Sequence, residues 1–345
     1  MTFSPQFAIS NHLLNNIKQV YSLVAKINTR QFPQVILFEL EKAAQAVSSH
    51  ASTSIEGNPL PLTEVKRILK SQPKSLKKSE QEVLNYNHAI EFLDRFVEKE
   101  NHSFSLSLML KVHRLVMTNL LPRHLVGKLR QQPVIVNNPQ TGQVIFLPPD
   151  HAQVETQMLD LIKFINSNKN RLDPLILAGI FHKQFVIIHP FIDGNGRTAR
   201  LLTKVLLAQM GLNTFKLFSF ERYYNQNISL YFKMVGELGD YNEIAGQIEF
   251  TGWLEYFTAG LINELKRVES LLPATDISPA LRLAPHHHKL LEHISQHGYI
   301  NQETYSKITS RSRASRILDF KKLLEMNLIV RKGQGRATHY VMKES

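Results

Sequence analysis

His189-Pro-Phe-Ile-Asp193-Gly-Asn-Gly-Arg197-Thr-Ala-Arg200 gathers an imidazole, a carboxylate, a Gly-Asn-Gly turn and two guanidinium groups into one short stretch. Gly194 and Gly196 tolerate positive φ, so backbone N–H groups around them can converge on an anion as a nest. A helix beginning just after the turn aims its positive dipole end at the same point. Arg197 and Arg200 share one face of that helix's first turn, within reach of phosphate oxygens. Asp193 offers a hard oxygen ligand for a divalent cation shared with phosphates. His189, with an unperturbed pKa near neutrality, is the candidate general base. The stretch reads as a nucleotide-phosphate site.

Its flanks decide the fold. Asp173-Pro174 pairs an N-cap with a first-turn proline and predicts a helix over 174–187. Leu175, Ile176, Leu177, Ile180, Phe181, Phe185, Val186 and Ile187 make that helix apolar on most sides, which places it centrally, with His182 and Lys183 at its polar edge. After the turn, Leu201, Leu202, Val205, Leu206 and Met210 recur at helical spacing up to Gly211. Helix, anion loop, helix is legible from the residues themselves.

The same stretch resembles the signature of the Fic family, His-x-Phe-x-(Asp/Glu)-Gly-Asn-Gly-Arg-x-x-Arg, with every specified position filled. Fic enzymes mostly transfer AMP from ATP to a protein hydroxyl. The resemblance implies that His189 deprotonates the target hydroxyl and Asp193 binds Mg²⁺. It also implies that Asn195 sits in the nest with Gly194 and Gly196, that Arg197 and Arg200 hold the outer phosphates, and that Phe191 anchors the loop in the core. ATP is then the substrate, Mg²⁺ the cofactor, and the partner a target protein modified on Ser, Thr or Tyr, with self-modification expected. Some relatives transfer other phosphate-linked groups or remove AMP, so a de-AMPylase reading stays open.

At 345 residues, 43% hydrophobic and 20% charged, the composition is that of a soluble globular protein of two or three domains. The absence of cysteine excludes disulfides, thiolate metal sites and a Cys nucleophile. No apolar run reaches bilayer length and the amino terminus lacks a signal-peptide pattern, so no membrane partner and a cytoplasmic location are expected.

Residues 1–100 read as a helical region. Leu13, Leu14, Ile17, Val20, Tyr21 and Val24 predict a helix over 12–28, and a second runs from Pro33 through Val47 to a stop at Gly57. Ser52 and Glu56 share a face near its end, where the macrodipole disfavours an anion. One reading is an exposed Glu beside a Gly cap. The resemblance supplies another: Ser52-Thr-Ser-Ile-Glu56-Gly57 resembles the Fic inhibitory motif, whose Glu reaches the second signature Arg and displaces the γ-phosphate. That pair would be Glu56 and Arg200, which brings Glu56 into the nucleotide site. Helices continue over 60–100, a short one capped by Thr63, with Asn85-Tyr86-Asn87 as packing. A helix over 105–121 carries His113, read as a core histidine.

Residues 101–270 form the expected catalytic core. Pro133–Val136 and Val144–Leu147, separated by a polar turn, predict a hairpin. Gly127-Lys-Leu-Arg130 and Leu147-Pro-Pro149 resemble the borders of the Fic flap, which covers the nucleotide and holds the target by strand addition. By that resemblance Val134 and Val136 dock the target, and Val136 and Asn137 approach the nucleotide. Val126 stands where the family often has Pro. Two helices are expected over 219–270. Tyr223-Tyr-Asn-Gln226 and Tyr231-Phe232 resemble the helix bordering the adenine, with Tyr231 either in the adenine wall or in the plain core, and Ile228 where relatives show Arg.

A linker is expected over 271–279, then a basic domain over 280–345. From Ala280 onward there are 12 Lys/Arg against 5 Asp/Glu, within a net charge of +12. Three predicted helices and a basic hairpin resemble a winged helix, in which Arg311, Arg313 and Arg316 would contact DNA; protein contacts or dimer packing are the alternative. His286-His-His288 forms no coherent metal set. The fold class is therefore mainly α: a Fic-type helical bundle with a β-hairpin flap, plus a C-terminal winged-helix domain. The function expected is an autoinhibited Mg-dependent protein adenylyltransferase, or alternatively a DNA-binding regulator with a nucleotide-sensing core. Family members often form homodimers.

Overall fold

The computed structural model describes residues 3–30, 34–98, 104–137, 142–209, 211, 212, 214, 216–272, 283–326 and 328–343. Pro33, the hairpin turn at 138–141, Met210 and the linker from 273 onward lie outside the described residues. The chain divides into two units. One comprises Met1–Thr29, Ala43–Leu69 and Pro73–Leu271, the other Arg30–Lys42, Lys70–Gln72 and Leu272–Ser345. The expectation of one amino-terminal region over 1–100 is corrected at 30–42. Phe38 belongs to the core of the second unit, and periodicity does not say which core an apolar residue joins.

The first unit contains α1 (Asn11–Asn28), the carboxyl half of α2 (Gln34–Ile55), α3 (Leu62–Ser71), α4 (Lys78–Val97), α5 (Leu106–Met117), β1 (Val136–Asn137) and β2 (Val144–Leu147). It continues with α6 (Val154–Asn168), α7 (Pro174–Ile188), α8 (Asn195–Gln209), α9 (Glu221–Gln226), α10 (Ile228–Val235), β3 (Gly239–Asp240), α11 (Tyr241–Ile244) and α12 (Thr251–Leu271). Helix α7 is the axis. Asp173 caps it by accepting the Leu175 N–H at 2.8 Å, and of its 15 residues only Pro174 and Val186 escape full burial. Helices α6, α8 and α12 pack around it, α4 and α5 cover α8, and α1 lies on α12.

His182 and Lys183 are not at a polar edge. Both are buried, and Lys183 is neutralised by Glu237 at 2.7 Å and by the carbonyls of Met234 and Gly236 at 3.1 and 3.3 Å. Thr63 falls inside α3 rather than capping it. Helix α6, unanticipated from the sequence, buries Val154, Met158, Leu161, Ile162 and Ile165 at helical spacing. Among the described residues four α-helices rather than two lie between 219 and 271, because Asn227, Gly236 and Asp240 break the run.

The flap hairpin is part of a three-stranded sheet in the order β1-β2-β3. β1 runs antiparallel to β2, with Val136 opposite Phe146, and β3 pairs parallel to β2. Ladder pairing starts at Val136, not at Pro133. Val134 and Val136 are half-buried while Ile135 is 51% exposed, so the two valines share a face as alternation requires.

The second unit contains α13 (Pro285–His297), α14 (Gln302–Ile308), α15 (Arg313–Glu325), β4 (Ile329–Lys332) and β5 (His339–Met342). Asn301 and Ser312 cap α14 and α15 through the Thr304 and Ser315 N–H groups, at 2.8 and 3.2 Å. Leu290, Leu291, Ile294, Tyr305, Phe320 and Leu323 form its core, and β4 and β5 pair antiparallel.

Candidate active site

Helix α7 ends on His189, which takes a left-handed conformation at φ 52°, and the loop turns again at Gly194, φ 80°. Asn195 closes this loop from within. Its Oδ1 accepts the Phe191 N–H and its Nδ2 donates to the Phe191 carbonyl, both at 2.9 Å. The amide thus organises the nest rather than offering itself to a ligand. Phe191 is fully buried, its ring stacked on His113 with centroids 3.7 Å apart.

His113 is the core histidine expected, with a further task. Its Nδ1 accepts the Gly127 N–H at 2.9 Å, so Nε2 carries the proton and donates to the Asp193 carbonyl at 3.0 Å. Burial pushes its pKa down to about 4, against the pull of Asp193. A neutral imidazole therefore pins the loop backbone. Gly194 is needed for contact as well as for φ, because a Cβ there would lie 2.6 Å from the Met117 sulfur.

The His189 Nδ1 lies 3.2 Å from the Val186 carbonyl, so in the neutral ring Nδ1 holds the proton and Nε2 is left to accept one. Burial lowers the His189 pKa, assisted by Arg130 and opposed by the Val186 carbonyl, Glu56 and Asp193. The ring is therefore neutral at pH 7. Arg130, which sequence reading treated only as a flap border, is the second brace. It donates from Nε to the His189 carbonyl at 2.8 Å, from Nη1 to Gln132 at 3.2 Å, and from Nη2 to the carbonyls of Pro149 and Ile188. Its own N–H reaches the Pro190 carbonyl at 2.9 Å. One buried guanidinium ties both ends of the hairpin segment to the loop carrying His189.

The phosphate-directed groups converge at the start of α8. Arg197 is buried; its Nη2 lies 3.3 Å from Asp193 Oδ1, while Nε and Nη1 have no hydrogen-bond partner among the described residues. Buried guanidinium N–H groups without partners call for an acceptor, as do the first N–H groups of the helix. Arg200 is fully buried. Nε donates to Ser52 Oγ at 2.8 Å, and Nη2 donates to the Ser52 carbonyl at 2.9 Å and to Glu56 Oε1 at 2.7 Å. Burial opposes its charge, but Glu56, with Tyr231 and Tyr86, raises its pKa overall. Asp193 Oδ1 accepts the Gly194 N–H, and the side chain is 52% exposed, which suits a hard-cation ligand beside the phosphate groups.

The adenine-wall expectation for Tyr231 is corrected. Its ring is buried and stacked on Tyr224 with centroids 4.5 Å apart, which is the core placement that was the other reading. Thr203 Oγ1 donates to the Ala199 carbonyl at 2.8 Å, so His182 Nδ1–H donates to Thr203 at 3.1 Å and His182 Nε2 accepts from the Tyr231 hydroxyl at 2.9 Å. Tyr231 supports the helix that carries Arg200. Val136 and Asn137 form β1, and Asn137 is exposed at its end.

The proposed DNA contacts fare unevenly. Arg311 is bidentate on buried Asp319 at 2.8 and 3.0 Å, and Arg316 Nη1 donates to the Arg311 carbonyl at 2.7 Å, which leaves Arg313 as the exposed one of the three. Asp319 also draws His286 and His287 together, with ligand atoms within 4.8 Å. His287 Nδ1 accepts the Ala284 N–H at 2.9 Å, so its Nε2 bears the proton and cannot bind a metal without breaking that cap.

Residues 103–207 match the Fic/DOC family. The matched segment includes the signature loop at 189–200. It is 34% identical over 165 residues to the protein adenylyltransferase fic-1 of Caenorhabditis briggsae, covering 46% of this chain and 31% of that one. It is 33% identical, with the same coverage, to fic-1 of Caenorhabditis elegans. The chain thus spans about a third of the length of the curated relatives it matches. Among solved structures, a Fic family protein from Desulfovibrio desulfuricans G20 aligns over 99% of both chains with a TM-score of 0.63 at 20% identity. A Fic-1 fragment from C. elegans aligns over 75% of this chain and 72% of its own, with a TM-score of 0.60 at 23% identity. These likenesses are of fold.

Proposed function

We propose that the chain is a Mg-dependent protein adenylyltransferase held inactive by Glu56. The observation that carries this reading is the place of the Glu56 carboxylate. It lies 2.7 Å from Arg200 and against Gly196, where the start of α8 and a buried guanidinium converge on an anion. A carboxylate there takes a position suited to an outer phosphate of ATP.

In-line attack on an α-phosphate asks for positioning and charge stabilisation rather than covalent help. His189 Nε2 accepts the hydroxyl proton of the target as the hydroxyl oxygen bonds to the α-phosphorus and the α–β phosphoanhydride bond breaks, releasing pyrophosphate. The α8 N–H groups and Arg197 stabilise charge on the phosphates, and Arg200 joins them once Glu56 leaves. Asp193 would hold Mg²⁺, which neutralises phosphate charge when bound. β1, at the edge of the flap sheet, presents main-chain groups to which an extended target segment can add. Among the described residues no helix is long and apolar enough to cross a membrane.

Self-modification with α-labelled ATP and Mg²⁺ tests the reading. Label should appear in Glu56→Gly, stay low in wild type and vanish in Glu56→Gly/His189→Ala. ATP binding without label in any of the three would favour a nucleotide sensor.

A further inference from the structure

Resting on that reading, we infer that Ser48 is a positioning residue for Glu56. Its hydroxyl, held by a buried Lys204–Glu221 pair, fixes the register in which α2 lies along α8.

The two helices meet through an antiparallel ladder of polar rungs. Glu56 lies against Gly196 and Arg200, Ser52 grips Arg200, and Ser48 meets Lys204. On each helix the rungs recur every four residues, so each set forms one stripe. The Ser48 rung is the most constrained. Lys204 Nζ donates to Ser48 Oγ at 2.7 Å and pairs with Glu221 Oε1 at 2.9 Å, while Ser48 Oγ donates to Glu221 Oε2 at 3.4 Å. Glu221 is fully buried and is further held by the Tyr86 hydroxyl at 2.8 Å and the Ser219 hydroxyl at 3.3 Å.

A buried ion pair is stable only when its remaining hydrogen-bonding capacity is met. Ser48 contributes to that from α2, and one residue of slip rotates its hydroxyl about 100° away. Ser49, next in the chain, is also buried, but its Oγ has no partner among the described residues. Packing is open at the Ser48 end of this contact. The following rung would bring Ala44 to Ala208, and both instead line a pocket of about 90 Å³ with Ser48 and Lys204. At this end the polar rungs therefore carry the register. Ser48 sets it two turns before Glu56, without touching the nucleotide site.

The test is self-modification in four proteins: wild type, Ser48→Ala, Glu56→Gly and Ser48→Ala/Glu56→Gly, with urea midpoints to confirm folding. Loss of a buried hydrogen bond to a charged group shifts an equilibrium by roughly tenfold or more. Ser48→Ala should raise self-modification by about that factor over wild type. It should have no effect once Glu56 is absent, and the KM for ATP in the double variant should match that of Glu56→Gly. Ser48→Thr, whose extra methyl has room in the pocket, should restore wild-type repression. A merely structural role would instead lower activity in both backgrounds, which overturns the inference. Glu56→Gly fast but Ser48→Ala no faster than wild type also overturns it. Glu56→Gly no faster than wild type overturns the autoinhibition reading itself, and the Ser48 inference with it.

Discussion

Glu56 stands where a side chain on Gly196 would have to go. A Cβ built at Gly196 lies 2.3 Å from Glu56 Oε1 and 3.0 Å from Arg200 Nη1. Gly196 is thus required by close approach rather than by backbone conformation, since it is not among the positive-φ glycines. Gly196→Ala should push the carboxylate aside, yet the same methyl intrudes on the space a phosphate needs beside the first turn of α8. The variant should remain inactive in self-modification, unlike Glu56→Gly, and should bind ATP at least tenfold more weakly than Glu56→Gly in calorimetric titration, a loss of ~1.4 kcal/mol. Self-modification at the Glu56→Gly level would show that phosphates do not approach Gly196.

Arg130 is a brace that lysine cannot copy. Its planar fork reaches the carbonyls of His189, Gln132, Pro149 and Ile188 at once, and an ammonium lacks that geometry. Arg130→Lys should lower stability by about 2 kcal/mol in urea unfolding, the scale of one or two lost charge-assisted bonds. In the Glu56→Gly background it should also lower kcat more than it raises KM for ATP, because it loosens the base rather than the phosphate groups. An unchanged kcat would assign Arg130 to stability alone.

The helix–loop–helix frame was legible because its signals are local. Asp173-Pro174 caps α7, the apolar run of α7 fills the core, and Gly194 turns the loop. The Glu56–Arg200 pairing came from a resemblance of motif, since two residues far apart in sequence carry no spacing signal. The brace made by Arg130 and the loop-pinning contacts of His113 escaped for a related reason. Their partners are backbone carbonyls and N–H groups, which every residue possesses, so no residue type marks the contact. Tyr231 stayed open between two readings because an aromatic at helical spacing can face a ligand or the core, and its burial on Tyr224 and His182 places it in the core. Helix α6 lacks a strong cap or glycine stop, its N-cap position being Gln153 with no side-chain bond.

His113 makes stability pH-dependent. Its pKa is about 4 in the folded chain against 6.5 in the unfolded one. Above pH 6.5 both states hold a neutral ring and the full contribution is present. As pH falls from there toward 4, the unfolded chain takes the proton first and stability is lost. For this one group the loss between pH 7 and pH 5 is about 2 kcal/mol. His113→Gln, which cannot titrate, should be less stable at pH 7 but should lose about 2 kcal/mol less on moving to pH 5, measured by urea unfolding at both values. An equal pH dependence in the two proteins would mean that the His113 ring is hydrated.

Under the proposed function the same sign applies to His189, with a different readout. Burial and Arg130 hold its pKa below the ordinary 6.5, so the ring is neutral across the physiological range and Nε2 is ready to take a proton. The pH profile of kcat/KM for ATP reports the groups of the free enzyme. In Glu56→Gly, that profile should be flat from pH 8 down to about 6.5 and fall only below it. Removing Glu56 also removes a negative charge that raises the His189 pKa, so the acidic limb should lie lower than that of the residual wild-type activity. Arg130→Gln removes a nearby cation and should move the limb upward. A limb centred above pH 6.5 in Glu56→Gly would mean that the acceptor of the hydroxyl proton is not this buried imidazole.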